Sequence, residues 1–405
     1  MQKKIKVEQL SLGMHIHELC GSWMSHPFWR TNFILKDPED IQRIRQSGIK
    51  EVWIDSAKGL DVEEAERQEQ VAAAVEIVLS QASDRIEPPK QVTLAEEVRK
   101  AAKICAKATE AVQSMFQELR MGKAISFKSA ISFVDEISSS MRRNPRALIS
   151  LARLKTADNY TYMHSVAVSG LMMGLARQMG FKEDEIREAG LAGLFHDIGK
   201  AKLPMKVLNK PGKLTDEEFM IIKAHSSEGH KILEEGKDIN ETLLNVCLHH
   251  HEKTDGSGYP HHQKGEEISL YTKMCAVCDV YDAITSNRPY KLGWDPSESI
   301  QKMTEWSDGH FDKEVFYAFV KCVGIYPTGS LIRLTSGRLG VVLDQSEKSL
   351  LIPQVKTFYS TRTMAYIKPE IVDLSRHGMM EKIVGVESAS KWGFKNLHEH
   401  WAQPA

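Results

Sequence analysis

Apolar residues recur at spacings of three and four through most of this 405-residue sequence, a period typical of helices that bury one face. The pattern continues from residue 123 to 325. Residues 1–62 instead mix strand-like segments with one short helix, and from residue 326 short apolar runs alternate with glycine-containing turns. We therefore predict a mainly α protein in four parts: an N-terminal α+β domain (1–62), a helical linker (63–122), a helical bundle domain (123–325) and a C-terminal β appendage (326–405).

Local signals support these divisions. Asp37 is a predicted N-cap, Pro38 occupies the first helical position, and Gly48 ends that helix. The segments KKIKVEQL, NFILKD and IKEVWID predict strands around it, and GSLIRLTSGRLGVVLDQ and SLLIPQVK predict strands of the C-terminal appendage. Thr215 and Glu218 form a predicted capping box at the start of a helix that runs through TDEEFMIIKAHSSEGHKIL.

The predicted linker contains a long helix that opens with a Thr93–Glu96 capping box and ends at Gly122. Its apolar stripe comprises Leu94, Val98, Ala101, Cys105, Ala108, Val112, Met115 and Leu119. Such a stripe is buried against another helix. Two alternatives remain open: a homodimer through the 94–119 helix, or packing on the chain's own helical domain.

The amino-acid composition indicates which partners and which cellular location to expect. Lys and Arg total 53 against 54 for Asp and Glu, so no global basic field indicates a nucleic acid polymer or a membrane surface as partner. No apolar run reaches the length of a membrane span, and the N-terminus lacks the apolar core of a signal peptide. Six cysteines do not form a disulfide framework, so we expect a reducing, cytoplasmic location. Cys275 and Cys278 are interpreted as small core residues.

Several histidines occupy positions where the pattern requires apolar side chains. His164 continues the stripe of Val168 and Leu171, and His225 shares a face with Phe219 and Ile222. In NETLLNVCLHHHE, helical phase places His250 and His251 on the inward sector with Cys247, whereas His249 points outward. One inward histidine is usually a core residue with a satisfied hydrogen bond.

The inward polar set is larger than one residue. His196 and Asp197 end a nearly all-apolar helix, and Asp279 continues the stripe of Cys275. Buried carboxylates are costly unless they are paired or bind a metal. Divalent metals held inside a helical bundle would satisfy all of these groups together.

The motifs HDIGK at 196–200 and HHEKTDGSGYP at 250–260 resemble those of the HD-GYP domain, a subgroup of the HD metal-dependent phosphohydrolases. Members of this family hydrolyse the bacterial messenger cyclic di-GMP. The resemblance covers residues 149–340, and the first 60 residues are similar to the small domain that commonly precedes HD-GYP domains.

The resemblance implies a ligand set and a division between two metals. One metal would be held by His164, His196, Asp197 and Asp279, and the other by Asp197, His225, His250 and His251, so that Asp197 bridges them. Mixed nitrogen and oxygen ligation admits several transition metals, and the family favours iron or manganese.

The resemblance also implies substrate-binding and catalytic roles. Lys200, Arg288 and Lys291 would face phosphate oxygens, with Asp197 and Lys200 in the catalytic group; the alternative for the three basic residues is a solvated surface charge. The DGSGYP segment is interpreted as a rim loop that places Tyr259. A hydroxide bridging the two metals would attack phosphorus and give pGpG, and a second cut would give GMP.

One position departs from the family. Members with a third metal have a Glu one helical turn before the first histidine ligand, where this sequence has Tyr160. We therefore expect two metals. Two alternatives to a cyclic di-GMP phosphodiesterase remain: an HD hydrolase that prefers pGpG or another nucleotide, and a nucleotide-binding sensor with little turnover.

Overall fold

A computed structural model describes residues 2–20, 32–62, 66–81, 92, 94–123, 127–144, 147, 160–210, 214–236, 239–286, 293–346, 348–394 and 397–401. The predicted mainly α class is confirmed: a helical bundle lies between two small antiparallel sheets. Thr93, Arg288 and Lys291, all used in the predictions above, lie outside the described residues.

The N-terminal sheet has the strand order β3-β2-β4-β1-β5. Its strands are β1 (Gln2–Lys6), β2 (His15–Leu19), β3 (Phe33–Ile34), β4 (Glu51–Asp55) and β5 (Glu66–Arg67), and helix α1 (Pro38–Gln46) lies between β3 and β4. The Asp37 side chain accepts a hydrogen bond from the Glu39 amide (2.9 Å), and Gly48 adopts φ +75°, as the predicted cap and stop require. Strand β2 was not predicted, because its two histidines obscure the alternation of HIHEL.

The helical part begins with α2 (Gln68–Gln81), α3 (Leu94–Arg120) and α4 (Phe127–Arg143). The bundle continues with α5 (Tyr160–Gln178), α6 (Glu183–Phe195), α7 (Met205–Leu208), α8 (Asp216–Lys223), α9 (His225–Glu234), α10 (Glu241–His249), α11 (Leu270–Thr285), α12 (Pro296–His310) and α13 (Lys313–Val323). A 3₁₀ helix at Ile198–Lys202 joins α6 to α7. One apolar core runs through these helices and includes Cys275 and Cys278, both buried free thiols as expected.

The apolar stripe of α3 is covered by the chain itself. From Val98 to Leu119 its described members belong to the same core as the bundle, and α3 packs against α4, α5 and the 3₁₀ helix. Buried Glu97 accepts hydrogen bonds from Arg143 at 2.7 and 2.8 Å, which further joins α3 to α4. The structure thus shows the second alternative, packing on the chain's own domain, and the face required by a homodimer through this stripe is occupied.

The C-terminal sheet has the order β10-β6-β7-β8-β9. It consists of β6 (Leu331–Leu334), β7 (Arg338–Asp344), β8 (Gln354–Ser360), β9 (Ala365–Asp373) and β10 (Ile383–Val386), followed by the short helix α14 (Ala389–Trp392). The segment SLLIPQVK forms a strand only from Gln354 onward. Pro353 has no N–H to donate to a ladder, so it ends the pairing before that residue.

The N-terminal sheet contacts the helical bundle through charged and apolar groups. Lys302 on α12 donates to Glu18 of β2 at 2.7 Å, and the Trp53 side chain of β4 belongs to the core of the bundle. Lys50 forms an ion pair with Asp255, which lies in the DGSGYP segment. The N-terminal domain is therefore in direct contact with the predicted rim loop.

The predicted helix through TDEEFMIIKAHSSEGHKIL is two helices, α8 and α9, that meet at Ala224. The Thr215–Glu218 capping box opens α8 as predicted. At the junction, the His225 ring Nδ1 lies 2.6 Å from the Ile222 carbonyl oxygen. The side chain thus takes a carbonyl that a continuous helix would use, which explains the break. No helix of the described chain is both long and apolar enough to cross a bilayer.

Candidate metal centre

The seven predicted ligands come from five places in the bundle and meet in its interior. His164 is in the first turns of α5, His196 and Asp197 follow α6, His225 begins α9, His250 and His251 follow α10, and Asp279 is in α11. His251 is the most exposed of them, and the other six are buried. The fold therefore gathers onto one point residues that are separated by more than a hundred positions in sequence.

Asp197 lies at the centre of this group. Its Oδ2 atom is 3.5 Å from His164 Nε2 and 3.4 Å from His196 Nε2. Its Oδ1 atom is 3.3 Å from His225 Nε2 and 3.8 Å from His250 Nε2. One carboxylate oxygen thus faces each set of histidines, which is the arrangement needed to bridge two ions.

The remaining ligand atoms form two groups around this carboxylate. His164 Nε2 lies 3.0 Å from Asp279 Oδ1, and His164, His196 and Asp279 converge as one possible ligand set. His225 Nε2 lies 3.1 Å from His250 Nε2 and 3.2 Å from His251 Nε2, and these three converge as another. A third convergent set, His196, Asp197 and His250, spans both groups, and the division between two metals that the family resemblance implies stays a prediction.

Helix ends orient three of the histidines. The Nδ1 atoms of His196, His225 and His250 lie 2.7, 2.6 and 3.0 Å from the carbonyl oxygens of the residues three positions earlier. The last carbonyls of a helix lack intrahelical partners and so can accept from a side chain. With Nδ1–H donated to a carbonyl, the Nε2 lone pair of each ring is left facing the centre.

His164 lies inside a helix and is oriented differently. Its Nδ1 is 2.6 Å from Oδ2 of Asp282, a buried carboxylate one turn beyond Asp279 on α11. A carboxylate behind a ligating histidine fixes the ring and increases its basicity. Asp282 is not among the predicted site residues, although its spacing of three from Asp279 on an apolar helix was a usable signal.

Burial and charge set His225, His250 and Asp197 in the protonation states that bind metals. Burial lowers the pKa of His225 to about 4 and that of His250 to about 3, so both rings are neutral near pH 7. Burial alone would raise the pKa of Asp197, but the positive charge of Lys200 and other nearby groups outweighs it and holds that pKa well below its usual range. Neutral imidazoles and ionised carboxylates are the states that metal binding requires.

The donor atoms fit a cation better than they fit one another. His196 Nε2 is buried and makes no hydrogen bond within the described residues, although it lies 3.4 Å from Asp197 Oδ2. The Nε2 lone pairs of His225 and His250, whose Nδ1 atoms donate to carbonyls, face one another at 3.1 Å. Such groups repel one another unless a positive charge lies between them, and divalent metals of intermediate softness suit imidazole and carboxylate donors.

A close backbone contact places His225. Gly199, in the HDIGK segment, lies so near α9 that a Cβ atom on it would overlap the His225 carbonyl and the Gly229 amide. The absence of a side chain at Gly199 therefore lets the segment that carries His196 and Asp197 lie directly against the helix that carries His225.

The DGSGYP segment borders the centre through Tyr259, as predicted. The Tyr259 ring stacks on His251 with centroids 4.8 Å apart and an interplanar angle of 29°. Buried Glu252 accepts the His261 amide at 2.7 Å, which ties the end of the loop to its start. A Cβ atom on Gly258 would overlap the Glu252 backbone, so the loop can fold this tightly only with glycine there.

His249 is outside the ligand group but does not face solvent. It is 6% exposed, and its Nε2 lies 2.9 Å from Nδ1 of His261. The prediction that His249 points away from the centre is consistent with this position, but the expectation that it points outward to solvent is wrong. The segment that follows Pro260 folds back over His249. The helical phase of residues 249–251 contains no information on where that later segment lies.

Of the three basic residues predicted to bind substrate, the structure describes Lys200. The Lys200 ammonium forms an ion pair with Asp197 Oδ2, so it lies at the edge of the ligand group. Arg288 and Lys291 lie outside the described residues, and their roles stay predictions. Tyr160 is the first residue of α5, one turn before His164, and its side chain is likewise outside the description.

Two family models match this chain, one in its N-terminal part and one in its helical part. A family model described as "HD domain" matches residues 141–315, and one described as "Domain of unknown function (DUF3391)" matches residues 2–130. The chain is 53% identical over 402 residues to "Cyclic di-GMP phosphodiesterase PA4108" of Pseudomonas aeruginosa, covering 99% of this chain and 96% of that protein.

Two more distant relatives match the helical part. A "Cyclic di-GMP phosphodiesterase" of Thermotoga maritima is 38% identical over 165 residues, which is 40% of this chain and 45% of that protein. A "3'3'-cGAMP-specific phosphodiesterase 1" of Vibrio cholerae is 36% identical over 167 residues, 40% of this chain and 38% of that protein.

Proposed function

The chain belongs to the HD-GYP family of metal-dependent cyclic di-GMP phosphodiesterases, and we propose that it hydrolyses cyclic di-GMP to pGpG at a centre of two divalent ions. The observation that carries this proposal is the position of Asp197, with one oxygen toward His164 and His196 and the other toward His225 and His250. A single carboxylate between two groups of imidazoles is a site for two cations.

The bound ions would supply Lewis acidity and lower the pKa of a water molecule that attacks phosphorus. The protein groups supply the rest. Asp197 and Asp279 keep their negative charges in the buried site, and Asp282 holds the ring of His164 in place. Lys200, next to Asp197, is positioned to offset negative charge that develops on the phosphoryl oxygens in the transition state.

Two other nucleotides are candidate substrates. The relatives include an enzyme named for 3'3'-cGAMP, and pGpG is the other dinucleotide that fits a site built for phosphodiesters. The test is to load purified protein anaerobically with iron or manganese and to compare kcat/KM on cyclic di-GMP, pGpG and 3'3'-cGAMP. We expect cyclic di-GMP to have the largest value. A larger value for another nucleotide would change the substrate, and nucleotide binding without product from fully loaded protein would indicate a sensor.

The expected number of metals depends on the type of residue at position 160, which is Tyr in this chain. A carboxylate one turn before His164 could reach a third ion, but a neutral phenol with an ordinary pKa near 10 has little affinity for one. We expect two tightly bound transition metals per chain after anaerobic reconstitution with excess manganese, and accumulation of pGpG. The Tyr160→Glu variant should raise the stoichiometry toward three. Three ions in the wild-type chain, measured by elemental analysis, would refute this expectation.

Arg288 is proposed to bind substrate phosphate. Arg288→Ala is expected to weaken turnover of cyclic di-GMP by about tenfold to a hundredfold, since it removes one charged hydrogen-bonding group. Metal content should not change, because a guanidinium has no lone pair for a metal at neutral pH. Steady-state kinetics and elemental analysis of the same preparation decide the role, and stoichiometric loss of metal would contradict it.

A further inference from the structure

Lys223 is a lysine beside the metal centre to which the function proposed above assigns no role. It is the last residue of α8, two positions before His225, and its side chain is partly buried. Its ammonium lies 4.8 Å from the centroid of the Phe219 ring and 5.0 Å from that of Tyr259. Two aromatic rings therefore hold the side chain in a defined position and shield the charge from water.

Among the residues that the structure describes, no carboxylate balances the charge of Lys223. Within the part of the chain that the structure describes, no carboxylate lies at ion-pair distance from its ammonium. Other partly buried or buried lysines do have partners: Lys210 pairs with Glu218 at 2.5 Å, and Lys302 with Glu18 at 2.7 Å. A partly desolvated cation without a counter-charge is costly, and an anionic ligand would remove that cost.

The position of Lys223 relates it to the second group of ligands. Tyr259, which the ammonium contacts, stacks on His251, and His251 Nε2 lies 3.2 Å from His225 Nε2. Lys223 is thus separated from a ligand ring by one aromatic side chain. It lies close to the reacting centre without belonging to the ligand group.

We infer that Lys223 binds the phosphate of the cyclic dinucleotide that is not being cleaved; this rests on the proposed function. The substrate has two phosphodiester groups with one negative charge each. The metal centre accounts for one of them, and Lys200, which lies at the centre in the described part of the chain, is already paired with Asp197. The ammonium of Lys223 supplies a positive charge for the second phosphate, and the aromatic walls strengthen the pairing by excluding water.

The test compares two substrates. Cyclic di-GMP has a second phosphate, whereas bis(p-nitrophenyl) phosphate has only the diester that is cleaved. Lys223→Gln, which keeps a polar side chain about one bond shorter and removes the charge, should raise KM for cyclic di-GMP by about tenfold to a hundredfold. Because the interaction does not change along the reaction, kcat should stay the same. Turnover of bis(p-nitrophenyl) phosphate and metal content should match wild type.

Two further variants complete the design. Lys231→Gln makes the same charge change at an exposed lysine that pairs with Glu228 on α9, and it should leave KM unchanged. Lys223→Arg keeps the charge and should restore most of the affinity. Equal losses on both substrates, loss of metal, or a wild-type KM for cyclic di-GMP in Lys223→Gln would each overturn the inference. Wild-type protein that cleaves bis(p-nitrophenyl) phosphate but not cyclic di-GMP would instead overturn the proposed function, and the inference with it.

Discussion

Replacing Asp197 by Ala is expected to abolish hydrolysis of cyclic di-GMP and to release at least one metal ion. The carboxylate has one oxygen 3.4–3.5 Å from His164 and His196 and the other 3.3–3.8 Å from His225 and His250. Asp279 is the other carboxylate of the centre; its Oδ1 lies 3.0 Å from His164 Nε2, and its Oδ2 reaches the second group only at His251 Nδ1, 3.9 Å away. Loss of metal-assisted stabilisation of several kcal/mol corresponds to a fall in kcat of roughly a thousandfold or more.

The Asp197 experiment needs two readouts on one preparation. Elemental analysis gives the metal content, and product formation from cyclic di-GMP gives the rate. Asp282→Asn is the matched control, because it changes a buried carboxylate of the same site that contacts His164 from behind. It should keep more metal and activity than Asp197→Ala, since outer partners typically contribute about 10- to 100-fold. Activity above about a tenth of wild type in Asp197→Ala, with metal retained, would remove Asp197 from the bridging role.

The second large effect is expected at His250, with its neighbour His249 as the comparison. His250→Ala removes a buried Nε2 that faces His225 and Asp197, so we expect loss of metal and a fall in activity of at least about a hundredfold. His249→Ala removes a ring that contacts His261 instead. It should keep the metal and lower the free energy of unfolding by about 1–3 kcal/mol, through a lost hydrogen bond in a buried position.

The paired histidine variants test the orientation of the helix end. Metal content and thermal unfolding are measured for both proteins in the same buffer. Equal loss of metal in the two variants would show that His249 also serves the centre. Full metal in His250→Ala would show that this ring is not a ligand.

Much of this arrangement follows from periodicity in the sequence. His164 continues an apolar stripe of α5, and Asp279 continues one of α11, so a period of 3.6 suffices to turn both toward the interior. The same phase separated His250 and His251 from His249. Helix caps such as Asp37 and the Thr215–Glu218 pair were also predictable, because they depend on neighbours three positions apart or fewer.

The features that could not be predicted from the sequence depend on contacts between segments that are distant in the chain. His261 covers His249 only because the chain returns after the DGSGYP loop. The break at Ala224 arises from a side chain that competes for a backbone carbonyl, and a pattern of apolar positions does not record such competition. In the sequence, Lys223 cannot be distinguished from a surface lysine. The fold places its ammonium over the Tyr259 ring.

The most direct test of the account is hydrolysis of cyclic di-GMP in ¹⁸O-labelled water, with metal-free and manganese-loaded protein compared under anaerobic conditions. The account predicts that only the loaded protein forms pGpG and that its 5′ phosphate has one labelled oxygen, because water attacks phosphorus at the metal centre. Equal hydrolysis by the metal-free protein would contradict the account. So would fully loaded protein that binds cyclic di-GMP and forms no product.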